Sequence, residues 1–169
     1  MLMNSIQWDV LKLFADKSCQ ALSDRIDFNV ESGEGFQEKI KKFHFNGYAV
    51  VVNTTGSVEG RILIHHYTET ALAIANKIMD KENEGESSAV EMNDRASNAL
   101  AEFSLELIED AVVNLSKKDL KVKISPAYFI KDTQNIDQLL EGVNSIITMP
   151  MKIENVGKFY INYLLNDKI

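Results

Sequence analysis

The sequence predicts an α+β fold in two layers, with an antiparallel sheet packed against two long helices. Segments 5–24 and 97–115 carry apolar residues at helical spacing. Each is followed by β-rich segments whose links are too short for parallel crossovers, which favours antiparallel pairing. The order of one helix and then three strands occurs twice, which predicts an internal α-β-β-β duplication. At 169 residues the chain fits one domain, residues 1–169.

The composition is that of an ordinary globular protein with an acidic balance. Apolar residues make up 45% and charged residues 25%, and the formal net charge is -7. Binding to the phosphate backbone of nucleic acids needs clustered Lys and Arg, so we expect no nucleic-acid partner. The start of the chain lacks a basic segment followed by an apolar run, and no segment approaches the about 18 apolar residues of a membrane span. We therefore expect a cytoplasmic protein without membrane contact.

The first half of the chain begins with the helix over 5–24. A short strand is predicted at 27–32. Two β-rich runs, 48–53 and 60–67, are joined by a glycine-containing link and predict a hairpin. The residues of the first helix at three- and four-residue steps are Ile6, Val10, Leu13, Phe14, Lys17, Ala21 and Leu22, with Trp8 at the margin.

A short helix and a polar loop lead into the second half. Thr68 is a candidate cap for a helix over 69–80. The polar segment 81–88 is typical of a surface loop. Ser88 and Glu91 have the spacing of a capping box, which predicts that the long helix opens there.

Three strand candidates close the chain, at 120–130, 145–153 and 157–165. Pro126 and Pro150 lie inside two of them. Because proline cannot donate a ladder hydrogen bond, we expect each at a sheet edge, a strand end or a bulge.

The long helix presents two different faces. It should end near Lys117, where a cation suits the negative end of the helix dipole. The face opposite the apolar stripe collects Asn98, Glu102, Leu105 and Glu109. A large apolar residue among exposed polar ones either has no role or marks a contact surface, and two Glu on a helix are usually just a solvated surface. The apolar stripe contains Ala96, Leu100, Phe103, Leu107 and Ala111, widened by Ala99, Ile108 and Leu115.

The succession of these segments resembles the CheC/CheX/FliY group of chemotaxis phosphatases, and most of all its CheX branch. The resemblance spans nearly the whole chain, and its most specific part is the long helix followed by ISP at 124–126. It implies the CheC/CheX-like fold. The segments that carry it are GSVEGRILI, ETALAIANKIM, NALAEFSLELIEDAVVNL, KVKISPAYFI and GKFYINYLL.

The resemblance also implies a function and a set of site residues. Such proteins hydrolyse the aspartyl phosphate of CheY-type response regulators, and their helix carries Asp or Ser, then Glu, then Asn. Glu102 takes the Glu position, where the family carboxylate pairs with a lysine of the regulator. Asn98 takes the Asp or Ser position. Leu105 stands where the family has its Asn. The chain itself would need no cofactor, since the regulator carries the Mg2+.

The replacement by Leu105 bears directly on the chemistry. A carboxamide can hold a water in line for phosphoryl transfer because it both donates and accepts hydrogen bonds, whereas an isobutyl group does neither. Asn98 has the required amide one turn before Glu102, but it would have to approach the phosphate from the other side. We expect Leu105 to be exposed and, with Glu109, to contact a partner. The alternative is that the loop at 81–88 or another subunit covers Leu105.

Three hypotheses follow for the function. The first is a CheX-like phosphatase with an altered site, in which Glu102 and Asn98 are the catalytic residues. The second is a non-catalytic domain that binds a response-regulator receiver domain through Leu105 and Glu109. The third is a dimerisation module, because the resemblance implies a homodimer and both prolines mark places where another sheet could add.

No metal or nucleophile site is predicted. His65 and His66 are neighbours in a strand, so their side chains point to opposite faces and cannot share a metal, and His44 lies apart. Cys19, the single cysteine, lies in the first helical pattern and is expected to be a buried, inert thiol.

Overall fold

The computed structural model describes residues 6–45, 47–82, 89–118, 120–131 and 136–166. Its helices are α1 (Ile6–Ile26), α2 (Thr68–Glu82), α3 (Asp94–Lys117) and the short α4 (Ile136–Leu139), with a 3-10 turn at Ile40–Lys42. Its strands are β1 (Val30–Ser32), β2 (Phe36–Glu38), β3 (Tyr48–Gly56), β4 (Gly60–His66), β5 (Val122–Ile124), β6 (Tyr128–Lys131), β7 (Ser145–Ile153) and β8 (Gly157–Leu165).

The eight described strands join one antiparallel sheet in the order β1-β7-β8-β4-β3-β5, with β2 also on β7 and β6 also on β3. Read from either edge, the sheet has the same plan. Each long hairpin, β3-β4 or β7-β8, carries the short strands of the other half on its outer side. The hairpins meet through β4 and β8, where Ile64 lies opposite Ile161. This symmetry confirms the predicted duplication, but each half has four strands, β1 to β4 and β5 to β8, instead of the predicted three.

The three long helices cover one face of the sheet. Val50 and Val52 of β3 and Ile62 and Ile64 of β4 join the helices in the main core. The alternate residues of the same strands point to the opposite face, as the two-residue period of a strand requires. There they join a smaller apolar cluster that contains Phe43, Phe45, Ala49, Val51, Leu63, Leu139, Ile146 and Leu164. The two-layer core is confirmed, and the second cluster was not predicted.

The first helix is longer than predicted and ends in a left-handed residue. Asp27 has a φ of 58°, and the N–H of Phe28 donates to the carbonyl of Leu22 over 3.0 Å. The N–H of Asp27 itself donates to the carbonyl of Ser23 over 3.1 Å, which is the hydrogen bond of the αL capping motif, in which glycine is the usual left-handed residue. Trp8 is buried rather than marginal, at 5% exposure, and its ring lies against Gly35.

The beginning of the long helix differs from the prediction. α3 begins at Asp94, and the side chain of Asn93 caps it by accepting the N–H of Ala96 over 2.8 Å. The capping box of Ser88 and Glu91 is therefore wrong as a helix start; Ser88 itself lies outside the described residues. α3 ends at Lys117, as predicted. α2 begins at Thr68 instead of after it.

The prolines explain two departures in the strands. The segment predicted as one strand at 120–130 is two strands, β5 and β6, with Pro126 in the break at the sheet edge. Pro150 lies within β7, opposite Tyr160 of β8. On its other side the neighbouring chain is interrupted between β1 and β2, and the carbonyl of Pro150 accepts the N–H of Gly33 over 2.7 Å. The missing N–H of Pro150 therefore faces a gap in the ladder.

Candidate functional site

The exposed face of α3 is the surface on which the sequence placed the site. Asn98, Glu102, Leu105 and Glu109 are all exposed there. Leu105 is 37% exposed, so the predicted exposure of this apolar side chain is found. The opposite face of the helix is buried in the main core, which fixes the orientation of the exposed one. The buried residues of α3 are Ala96, Ser97, Leu100, Phe103, Ser104, Leu107, Ile108, Ala111 and Leu115.

Glu102 lies in the middle of this face. With the other described residues its carboxylate makes no side-chain hydrogen bond and no ion pair. An exposed carboxylate without an internal partner keeps its oxygens available as hydrogen-bond acceptors. Asn98, one turn earlier, likewise makes no side-chain hydrogen bond to a described residue, so its amide is also accessible.

A shallow cleft lies beside Glu102, where the ends of α1 and α2 approach α3. Its volume is about 90 Å³, too small to enclose a metabolite. Five of its eight lining residues are charged. The cleft is lined by Arg25, Ile26, Ile78, Lys81, Glu82, Glu102, Phe103 and Glu106.

Arg25 is a charged residue of this cleft that the sequence did not indicate. Its guanidinium forms an ion pair with Glu106, one turn after Glu102. Its central carbon lies 4.9 Å from the centre of the Phe103 ring, a cation–π distance. Arg25 stands in the last turn of α1, and nothing in the spacing of α1 shows that this turn lies beside the middle of α3.

The neighbouring histidines point to opposite faces of the sheet, as predicted. The ring of His65 packs 4.7 Å from that of Phe45, and its Nδ1 lies 3.4 Å from the side-chain oxygen of Asn162. His66 packs 4.9 Å from Phe159 in the main core. Burial, with a smaller contribution from the adjacent His65, lowers the pKa of His66 from 6.5 to about 3. Within the described ranges no three His, Cys, Asp or Glu residues come together as a metal site would require.

Cys19 is half-buried, not fully buried as predicted. Burial and then the nearby Asp16 carboxylate raise the pKa of its thiol. Because the thiolate is the reactive form, both effects disfavour that form of Cys19, as expected for an inert thiol. Of the helices that the structure describes, none is long and apolar enough to cross a bilayer.

Comparison with known proteins identifies the fold. No family model and no curated protein sequence matches the chain. Among solved structures, a CheC-like superfamily protein of Shewanella sp. PV-4 is similar with a TM-score of 0.70 at 14% identity, over 93% of this chain and 97% of that one.

Two further solved structures widen the similarity. The FliY protein of Thermotoga maritima matches with a TM-score of 0.67 at 18% identity, over 98% of this chain and 92% of its own. The CheX protein of Borrelia burgdorferi, solved in complex with CheY, BeF3 and Mg2+, matches with a TM-score of 0.66 at 25% identity, over 94% of this chain and 99% of that one. The chain therefore has the fold of the CheC, CheX and FliY chemotaxis proteins, as its sequence resemblance predicted.

Proposed function

We propose that this chain is a CheX-like protein that acts on phosphorylated CheY-type response regulators and binds their receiver domain through the exposed face of α3. The observation that carries the proposal is Glu102, an exposed carboxylate with no partner among the described residues, in the middle of that face. The fold supports the same assignment, since the similar CheX of Borrelia burgdorferi was solved bound to CheY.

Each residue of the face has a role in this proposal. Glu102 pairs with a lysine of the receiver, which gives a charge-assisted contact. Leu105 adds an apolar contact, and Glu109, one turn further along, lies at the rim of the contact surface. The receiver carries the Mg2+, so this chain contributes no metal ligand.

Hydrolysis in this proposal rests on Asn98 and Glu102. The side chain of Leu105 has no donor or acceptor, so it cannot hold the attacking water. Asn98 is exposed on the same face one turn before Glu102 and carries the amide that water positioning needs. Because positioning depends on small displacements, Asn98 acts only if the phosphate approaches from the N-terminal side of Glu102.

Leu105 supports a second candidate function, a non-catalytic adaptor that binds the receiver and leaves its phosphate in place. A side chain that is 37% exposed can contribute apolar burial on binding but no hydrogen bond to water. In this alternative Glu102, Leu105 and Glu109 form a docking surface, and the phosphate survives in the complex.

A phosphate-release assay separates the two functions. The unsubstituted chain is mixed with each phosphorylated CheY-type receiver of the same organism, and release is compared with Glu102→Ala, Asn98→Ala and Leu105→Asn. The control is Asp110→Ala, an exposed acidic residue about two turns beyond Glu102 on α3. Acceleration that falls by at least about tenfold in Glu102→Ala and Asn98→Ala, but not in the control, supports the phosphatase.

The other outcomes are equally distinct. Binding without acceleration, together with acceleration gained by Leu105→Asn, supports the adaptor. If the unsubstituted chain binds none of the receivers, the proposed function is wrong.

The proposal includes a homodimer. The short strands β1, β2, β5 and β6 form the sheet edges, where unpaired backbone groups can accept another strand. Light scattering of the purified chain should give twice the monomer mass. A monomer at all concentrations would remove the dimer from the proposal and leave the receiver-binding surface untouched.

A further inference from the structure

Arg25 places a fixed cation beside Glu102, the central residue of the proposed docking face. Its guanidinium pairs with Glu106, which follows Glu102 by one helical turn. Side chains one turn apart on a helix are neighbours, with about 6 Å between their β-carbons. Arg25 and Glu102 also line the same cleft. A ligand group that reaches Glu102 therefore comes within reach of the guanidinium.

The guanidinium of Arg25 is held in place but retains N–H donors for a further acceptor. The Phe103 ring lies under it at 4.9 Å, and its side chain is 40% exposed. Guanidinium carries five N–H donors in a planar fork that matches phosphate and carboxylate oxygens. Its exposed ion pair with Glu106 is of a kind that contributes little to stability, so a stronger acceptor can share Arg25 at small cost.

The chemistry of the expected partner supplies that acceptor. If Glu102 pairs with a lysine at the receiver's phosphorylation site, the neighbouring oxygens on the receiver are those of its phosphoryl group. We infer that Arg25 binds the phosphoryl group and makes docking depend on phosphorylation. This inference rests on the receiver-binding part of the proposed function and adds to it a residue that recognises the phosphorylated state. A phosphoryl group held by Arg25 lies on the Glu106 side of Glu102, away from Asn98, so this placement favours the adaptor over hydrolysis through Asn98.

The test compares the affinity of the chain for one receiver in two states. The probe is the CheY-type receiver that binds the unsubstituted chain most tightly, with Mg2+ alone or with Mg2+ and BeF3. The dissociation constant with Mg2+ alone, divided by that with Mg2+ and BeF3, measures how strongly binding depends on the phosphoryl-like group. Arg25→Ala should reduce this ratio by on the order of tenfold or more, since a hydrogen bond to a charged group contributes at that level. Arg25→Lys should retain part of it, because the charge remains without the fork.

Two controls distinguish recognition from a merely structural ion pair. Glu106→Gln removes the partner of Arg25 and leaves the guanidinium, so the ratio should be kept. Lys17→Ala removes a cation from the same helix about two turns earlier, and the ratio should also be kept. Circular dichroism of each variant confirms that it is folded, and Arg25→Lys serves if Arg25→Ala is not.

The results that would overturn the inference differ from those that would overturn the proposed function. An unchanged ratio in both Arg25 variants, or a loss in Glu106→Gln as large as in Arg25→Ala, makes Arg25 a structural residue only. The receiver-binding role of Glu102 would then stand. If the unsubstituted chain fails to bind any receiver, both are wrong.

Discussion

The buried His66 predicts how the stability of this fold depends on pH. Burial lowers the pKa of His66 from 6.5 to about 3, so the folded protein excludes a proton that the unfolded chain binds. The contribution of His66 to stability is therefore complete above pH 6.5 and is lost as the pH falls towards 3. At pH 5, about 1.5 units below the unfolded pKa and at about 1.4 kcal/mol per unit, the loss is about 2 kcal/mol.

Urea denaturation at pH 7 and pH 5 measures this loss. His66→Leu fills the same apolar surroundings of Ile64, Ile74 and Phe159 without a titrating group. The unsubstituted chain should lose about 2 kcal/mol more than His66→Leu between the two pH values, because the other groups titrate alike in both. His44→Gln, at an exposed histidine, is the matched control and should keep the original difference. Equal pH dependence in the chain and in His66→Leu would refute the reasoning.

Three further predictions concern the stability of the fold. Asn93→Ala removes the cap on the N–H of Ala96 and should lower the free energy of unfolding by about 1 kcal/mol; an unchanged urea midpoint would show that the cap is not used. Tyr163 and Thr54 share one buried hydrogen bond of 2.7 Å, so Tyr163→Phe and Thr54→Val should each lower the free energy of unfolding by about 1–3 kcal/mol. The double variant should lower it by less than the sum of the two single effects, and strict additivity would contradict the pairing. Gly47→Ala should lower the melting temperature, because Gly47 has a φ of +113° and an added Cβ would meet the carbonyl oxygen of His66 at 2.2 Å.

The parts of the fold that local periodicity controls could be predicted. The predicted hairpin at 48–53 and 60–67 and the two closing strands lie where the sequence placed them. The start of α3 could not, because Ser88 and Asn93 both carry an oxygen that can cap a helix and spacing alone does not choose between them. The residue that caps the helix is Asn93, which lies three positions before Ala96, the first buried residue of the stripe. A short edge strand such as β2 gave no signal, since its existence depends on pairing with β7.

The candidate site, too, could be predicted only in part. The 100° rotation per residue placed Asn98, Glu102, Leu105 and Glu109 on one face, and that face is exposed. The cation beside it could not be found this way, because Arg25 belongs to another helix and reaches Glu106 only through the packing of α1 on α3. Sequence periodicity determines which residues share a helix face. It does not determine which residues of other elements lie beside them.

Substitution of Leu105 should change receiver binding and phosphate release in opposite directions. Complete burial of a leucine contributes about 1.5–3 kcal/mol, so covering the exposed 37% gives about 1 kcal/mol, or about fivefold in affinity. Leu105→Asn should therefore bind the receiver about fivefold more weakly. The same variant restores an amide that can orient water, so phosphate release from the bound receiver should rise. A variant that weakens binding and leaves release unchanged would show that the amide position does not face the phosphate, because a side chain in contact with the attacking water cannot change from hydrocarbon to carboxamide without affecting the rate.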